Sequence, residues 1–214
     1  MSTASPQPPF SVLGGSSASG GTAAAGFPPT LFSFPPFFTL QPNPATLKTQ
    51  LTAWSSLVQS YCKSTRTFYL DADDAASHGR LWSNPAIGRS LDAQGRARVL
   101  LFLVEQGRAV WEGQGQGQEK GKTQQQAAKR ALILWRRPDE WGRLIRDWIV
   151  ATGQDKSIMT FFELTEGDLV EDQEFANLPP QLLRLALETL VAKGQAQIFS
   201  GSERGEGMEG VKFS

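Results

Sequence analysis

Two stretches of this chain carry the same alternation of apolar and polar positions. In the first, Val99, Leu100, Leu103 and Val104 recur at helical spacing, Gly107 interrupts them, and Ala109-Val110-Trp111 follows as a short apolar run. In the second, Leu182, Leu183, Ala186, Leu187, Leu190 and Val191 recur in the same way, Gly194 interrupts them, and Gln197-Ile198-Phe199 follows. Glycine just past the last periodic residue ends a helix by taking the left-handed conformation. Each stretch therefore predicts a helix that passes directly into a strand. The phrase is even repeated in outline, Leu103-Val104-Glu105-Gln106-Gly107-Arg108-Ala109 returning as Leu190-Val191-Ala192-Lys193-Gly194-Gln195-Ala196.

The pattern around these two stretches extends the parallel. Asn43-Pro44 is a helix start, and Leu47, Leu51, Trp54, Val58 and Tyr61 behind it form one helical face. A strand is expected at Thr67 to Leu70 and a short segment at Leu81 to Ile87. Asp92 caps a helix expected from Ala93 to Gln106, and Ala131 to Trp135 pairs with 109–111. The second unit opens with Trp141, Leu144, Ile145, Trp148 and Ile149 on one face, stopped near Gly153. Ser157 to Phe162 reads as a strand and Glu163 to Glu174 as an acidic loop. Pro179-Pro180 opens the third helix, and Gln197 to Phe199 with Gly210 to Phe213 closes the ribbon.

Helix, strand, helix, helix, strand, strand is the order of a winged helix, whose third helix ends at its wing. The fold class expected is α+β, mostly α: two tandem winged-helix domains preceded by a disordered, Pro/Phe-containing N-terminal arm. The divisions are a low-complexity tail at 1–30, an extended Pro-Pro-aromatic arm at 31–43, a first winged helix at 44–137 and a second at 138–214. A Gly/Gln-rich wing insert occupies 113–129. So little chain separates the two units at Arg136 to Asp139 that they are expected to pack on each other.

Composition adds a division of charge. The net charge of the 214 residues is zero, yet Met1 to Arg137 holds 14 Lys/Arg against 7 Asp/Glu, and Pro138 to Ser214 holds 7 against 14. The halves thus carry +7 and −7 and are expected to meet different partners. Cys62 is the only cysteine, which excludes an intramolecular disulfide. No secretory leader, myristoylation signal or apolar run of spanning length is present, so the expected address is the cytosol.

Chemistry is sparse. His78 is the only histidine, and one His with one Cys makes no zinc site. Neither a phosphate loop nor a nucleophile elbow occurs, and Gly113 to Gly117 lies in the Gln-rich insert. Asp71, Asp73 and Asp74 read as a solvated loop. No enzyme activity, cofactor or metal is expected.

Binding is what remains. A winged helix commonly reads DNA with its third helix, and Gln94, Arg96, Arg98, Glu105 and Gln106 are the polar positions on that helix of the first unit. Its counterpart in the second unit offers only Gln181, Arg184, Glu188 and Thr189 and begins with Leu178-Pro179-Pro180. DNA regulation is the alternative reading. Phe32-Ser33-Phe34-Pro35-Pro36-Phe37-Phe38 points elsewhere: burying Phe37 and Phe38 yields roughly 3–6 kcal/mol gross, and a proline-stiffened backbone loses little entropy on docking. The arm either docks on another protein or packs on its own domain.

The run Phe34 to Asn43, then Gln50-Leu51 with Trp54-Ser55-Ser56-Leu57, then Trp135-Arg136-Arg137-Pro138-Asp139-Glu140-Trp141, then Thr152-Gly153-Gln154, Glu163-Leu164 and Gly210-Val211-Lys212-Phe213 resembles the vacuolar protein sorting-associated protein 25 family. These are tandem winged-helix subunits of the ESCRT-II endosomal sorting complex. The resemblance implies a scaffold whose arm inserts into grooves of the two larger ESCRT-II subunits, with two copies of this chain per complex. Pro35, Pro36, Phe37 and Phe38 would be the inserting residues, so that alanine at both phenylalanines would uncouple assembly without unfolding. It further implies that the second winged helix recruits the nucleating ESCRT-III subunit, whose basic helices suit an acidic domain. Arg184 and Glu188 are the candidates there. Nucleic acid is not an expected partner, and the chain would reach the endosomal membrane only through the complex, in sorting ubiquitinated cargo into multivesicular bodies. The long wing insert, the long tail and Ser214 in place of a terminal aromatic depart from the family pattern.

Overall fold

The structure, a computed structural model, describes residues 29–112, 130–200 and 209–214. The low-complexity tail up to residue 28, the wing insert and the Gly/Glu-rich stretch 201–208, expected to be the turn of the closing ribbon, lie outside them.

One helical turn, α1 (Pro29–Phe32), and a 3-10 turn at Pro35–Phe38 precede α2 (Pro44–Thr65). The Asn43 side chain starts α2 by accepting from the amides of Ala45 at 3.0 Å and Thr46 at 3.2 Å. Leu51, Trp54, Val58 and Tyr61 face inward as their spacing predicts, and Leu47 is half-buried. Then come β1 (Tyr69–Asp71), α3 (Gly79–Trp82), a two-residue ribbon of β2 (Ser83–Asn84) with β3 (Arg89–Ser90), and α4 (Ala93–Glu105), capped by Asp92. The wing strands are β4 (Ala109–Trp111) and β5 (Arg130–Ile133), and the antiparallel sheet has the order β1-β5-β4.

The second half repeats this plan. It runs α5 (Pro138–Ala151), β6 (Ile158–Thr160), α6 (Phe161–Thr165), α7 (Pro180–Ala192), β7 (Ala196–Ser200) and β8 (Glu209–Phe213), with sheet order β6-β8-β7. The repeated phrase has one geometry in both places. Gly107 and Gly194 sit at φ +64° and +69°, and the amides of Arg108 and Gln195 bond back to the carbonyls of Leu103 at 2.7 Å and Leu190 at 2.9 Å. That is the Schellman closure, which needs the left-handed residue between helix and strand.

One assignment in the second half changes. Phe161 and Phe162, expected to continue a strand, form the first turn of α6. Thr160 and Glu163 make a capping box: the Thr160 hydroxyl accepts from the Glu163 amide at 3.1 Å and the Glu163 carboxylate accepts from the Thr160 amide at 2.7 Å. The Thr160 amide, with the Thr160 hydroxyl donating to the same carboxylate at 2.9 Å, holds the Glu163 carboxyl below its ordinary pKa.

Each half has its own core, and β5 feeds both. Ala131 and Ile133 enter the first, among Trp54, Leu70, Leu81, Val99, Leu100 and Leu103. Leu132 and Leu134, on the opposite face, enter the second, among Trp141, Ile145, Leu183, Leu187 and Phe213. Phe68, Tyr69 and Val110 add to the second core from the first sheet. Trp135 packs against both, its ring 5.6 Å from Phe68 and 4.9 Å from Trp141.

Candidate partner-docking site

The prolines at 35 and 36 lack amide hydrogens, which leads one to expect an extended arm. The structure corrects this expectation: the arm folds back in two turns. The Phe34 amide donates to the Leu31 carbonyl at 3.1 Å, the Phe37 amide to Phe34 at 3.0 Å and the Thr39 amide to Pro36 at 3.2 Å. Pro35 and Pro36 fill the first positions of the 3-10 turn, where a missing N–H costs nothing.

The turn divides the four expected inserting residues into two pairs. Phe37 and Phe38 are each 4 % exposed, in the first core of this same chain. Phe37 stacks on Trp54 with centroids 4.4 Å apart and planes 7° apart. Phe38 meets Trp54 edge-on at 5.7 Å and Phe32 at 5.3 Å. Pro35 and Pro36 remain on the surface beside Phe34, which is 54 % exposed. Alanine at both phenylalanines therefore empties a core, at about 3–5 kcal/mol each, and does not test docking cleanly.

Side chains of the domain hold the arm's backbone. Gln50, 7 % exposed, donates its amide to the carbonyls of Phe37 and Thr39, both at 2.9 Å, and accepts from the Gln41 amide at 3.2 Å. Trp54 Nε1 donates to the Phe37 carbonyl at 3.1 Å, and Asn84 Nδ2 to the Phe32 carbonyl at 2.7 Å. Between arm and α2 lies a groove of about 490 Å³ lined by Leu31, Phe34, Pro36, Phe37 and Ala53, with Thr46, Thr49, Gln41 and Gln50 at its polar edge. No charged side chain lines it. Phe34 was read as part of the aromatic arm but not among its inserting residues, and the groove was not foreseen, since nothing local separates an outward phenylalanine from an inward one.

On the second unit, Arg184 is exposed but ion-paired with Glu209 of β8, and Glu188, one turn further along α7, is half-buried. The larger apolar exposure there is at Ile158, Phe162 and Leu169, at 68 %, 60 % and 68 %, none of which the sequence had marked as a binding residue. On the first unit, Arg96 is 8 % exposed and donates to the carbonyls of Ala72 at 2.6 Å and Leu91 at 2.7 Å. It is a strut beneath the loop before α4, not a group free to read bases. Arg98 is paired with Glu105 at 3.4 Å. The Cys62 thiol is buried and its pKa pushed up by desolvation. Among the described residues, no group of three or more His, Cys, Asp or Glu side chains is arranged to hold a metal ion. None of their helices is long and apolar enough to cross a membrane.

Residues 31–179 match the family model described as ESCRT-II complex subunit. The chain is 38 % identical over 185 residues to vacuolar protein-sorting-associated protein 25 of Xenopus laevis, covering 86 % of this chain and 97 % of that one. Its fold is similar to that of the crystal structure of subunit VPS25 of the endosomal trafficking complex ESCRT-II. The TM-score is 0.71 at 27 % identity, over 86 % of this chain and 97 % of that one. It is similar to the same degree, with TM-score 0.71 and 27 % identity, to a chain of the crystal structure of endosomal complex ESCRT-II (VPS22/VPS25/VPS36), covering 88 % of this chain and all of that one.

Proposed function

The chain belongs to the vacuolar protein sorting-associated protein 25 family of ESCRT-II complex subunits, and on that premise we propose that it acts without catalysis, as a scaffold subunit holding the two larger ESCRT-II subunits through its arm and first winged helix. The solved complex that it resembles joins VPS25 to VPS22 and VPS36, and the larger partners here are the counterparts of those two, with two copies of this chain per complex. The observation that carries the reading is the outward face of the arm. Phe34, Pro35 and Pro36 stand on the surface beside an uncharged apolar groove, while Phe37 and Phe38 root them in the core. Exposed apolar groups on a rigid support lose little entropy on burial, which is what a docking anchor requires.

The second winged helix recruits the nucleating ESCRT-III subunit. Its support is the −7 charge from Pro138 onward and the exposed Ile158, Phe162 and Leu169, which together suit a basic amphipathic helix. Arg184 and Glu188 lie on that domain's third helix and are the first positions to reverse. The chain works in the cytoplasm and reaches the endosomal membrane through the complex. A buried Arg96 and a paired Arg98 leave DNA reading without a specific observation in its favour.

The test is native mass spectrometry after co-expression with the two larger ESCRT-II subunits. The expected result is a complex containing two copies of this chain, lost on Phe34→Asp combined with Pro35→Ala and Pro36→Ala, while the triple variant keeps its cooperative unfolding transition. A triple variant that assembles normally would refute docking through the arm.

A further inference from the structure

A glutamine is an unusual choice for a buried helix position, since a polar amide hidden from water costs free energy unless every group finds a partner. Leucine would fill the space next to Leu51 at no such cost. Gln50 is nevertheless buried, and its bonds go to one place, the arm. Its NH2 reaches the Phe37 and Thr39 carbonyls at 2.9 Å and lies 3.4 Å from that of Pro36, while its Oε1 accepts from the Gln41 amide at 3.2 Å. Only a carboxamide of this length both donates to carbonyls and accepts from an amide. Glutamate would set oxygen against oxygen, and asparagine is one methylene shorter.

The arm needs such a partner. Two successive prolines supply no amide hydrogens, so the turn's own backbone bonds, Phe37 to Phe34 and Thr39 to Pro36, are few, and bonds to its carbonyls from α2 supplement them. Trp54 gives the second, from Nε1 to the Phe37 carbonyl at 3.1 Å, beneath the ring that it stacks on Phe37. We propose that Gln50, assisted by Trp54, is the positioning residue that holds the Pro35–Phe38 turn in its docking shape, so that partners meet Phe34, Pro35 and Pro36 as a preformed face. This rests on the reading that the arm docks on the larger subunits. Without the clamp the arm samples other conformations, and apparent affinity falls by the fraction of time spent in the competent one.

The full-length chain carrying Gln50→Leu is titrated against the co-expressed pair of larger ESCRT-II subunits, with hydrogen exchange followed on the free chain. An arm held in shape one-tenth of the time weakens binding about tenfold. The arm amides of Phe37 and Thr39 then exchange faster, while those of α4 and β5 keep their protection. Wild-type affinity with a loosened arm overturns the proposal, because a merely structural Gln50 changes stability and leaves affinity alone. If Gln50→Leu does not fold, Trp54→Phe carries the test, since it keeps a ring under Phe37 while removing the donor together with part of the indole. It is expected to weaken binding in the same direction, and unchanged affinity overturns the clamp. Phe34→Asp separates the two claims. Loss of binding with Phe34→Asp and wild-type binding with Gln50→Leu leaves arm docking standing and removes the clamp. Undiminished binding with Phe34→Asp removes both.

Discussion

Arg66 ends α2 in the left-handed region, at φ 50° and ψ 35°, and the Thr67 amide closes the helix on the Cys62 carbonyl at 2.9 Å. Three other closures of this kind use glycine, at Gly107, Gly153 and Gly194, and those were legible in the sequence because glycine announces them. Arginine does not, since the conformation is imposed here by the strand that must follow. Arg66→Gly should therefore raise stability by about 0.5–1 kcal/mol, the relief of the left-handed strain less the entropy that glycine loses. Urea unfolding would show it, and a lower midpoint would refute it. His78 is half-buried beside Tyr61, and burial lowers its pKa from the ordinary 6.5 despite the opposing charge of Asp74. A lowered folded pKa means that the unfolded chain takes up the proton first. Stability should accordingly fall as pH drops through about 6.5 and level off below the folded value. His78→Gln should flatten that part of the pH profile, and an unchanged slope would assign it to other groups.

The arm and α6 are the elements that local reading missed, for opposite reasons. The α6 signal was present: Thr160-x-x-Glu163 is a capping box, overlooked because Ile158-Met159-Thr160-Phe161-Phe162 also reads as an apolar strand. The arm signal was not local at all. Its turn is held by Gln50, Trp54 and Asn84, the last bonded to Phe32 across 52 residues, and no windowed pattern contains such bonds. Helix crossings have the same character. Gly142 lies where α5 meets α7, and a methyl group there would stand 2.7 Å from Thr189 Oγ1 and 2.9 Å from the Ala186 carbonyl. Thr189 can turn aside but the backbone carbonyl cannot. Gly142→Ala should destabilise the second domain by about 1–3 kcal/mol, outweighing the better helix propensity of alanine. Thermal unfolding checks this, and a raised midpoint would mean that the helices separate without cost.

At the scale of the molecule, the two-domain plan was legible from the repeated helix–glycine–strand phrase, and the mutual packing from the brevity of the linker. The means of packing was also written in the chain, in Ala131-Leu132-Ile133-Leu134-Trp135, an unbroken apolar run of the kind a strand buried on both faces requires. Read alone as a wing strand, it gave no hint that its two faces serve different cores. Leu132→Ala tests the division of labour. The residue belongs to the first sheet, yet its truncation should cost about 2–5 kcal/mol and be felt first in the second domain. Hydrogen exchange should then quicken in α5 and α7 before α2 and α4. The reverse order would place Leu132 with the first core after all.

A strand with one foot in each core also makes the chain a strut. Neither half turns about the other without tearing β5 from a hydrophobic seat, since Leu132 and Leu134 are 0 % and 5 % exposed on one side and Ala131 and Ile133 both 0 % on the other. The bearing of the second half is thus set by whatever holds the first. On the proposed reading, a partner that fastens the first half through Phe34 thereby also fixes how the second half presents its exposed Phe162 and Leu169, so that one grip sets direction as well as attachment.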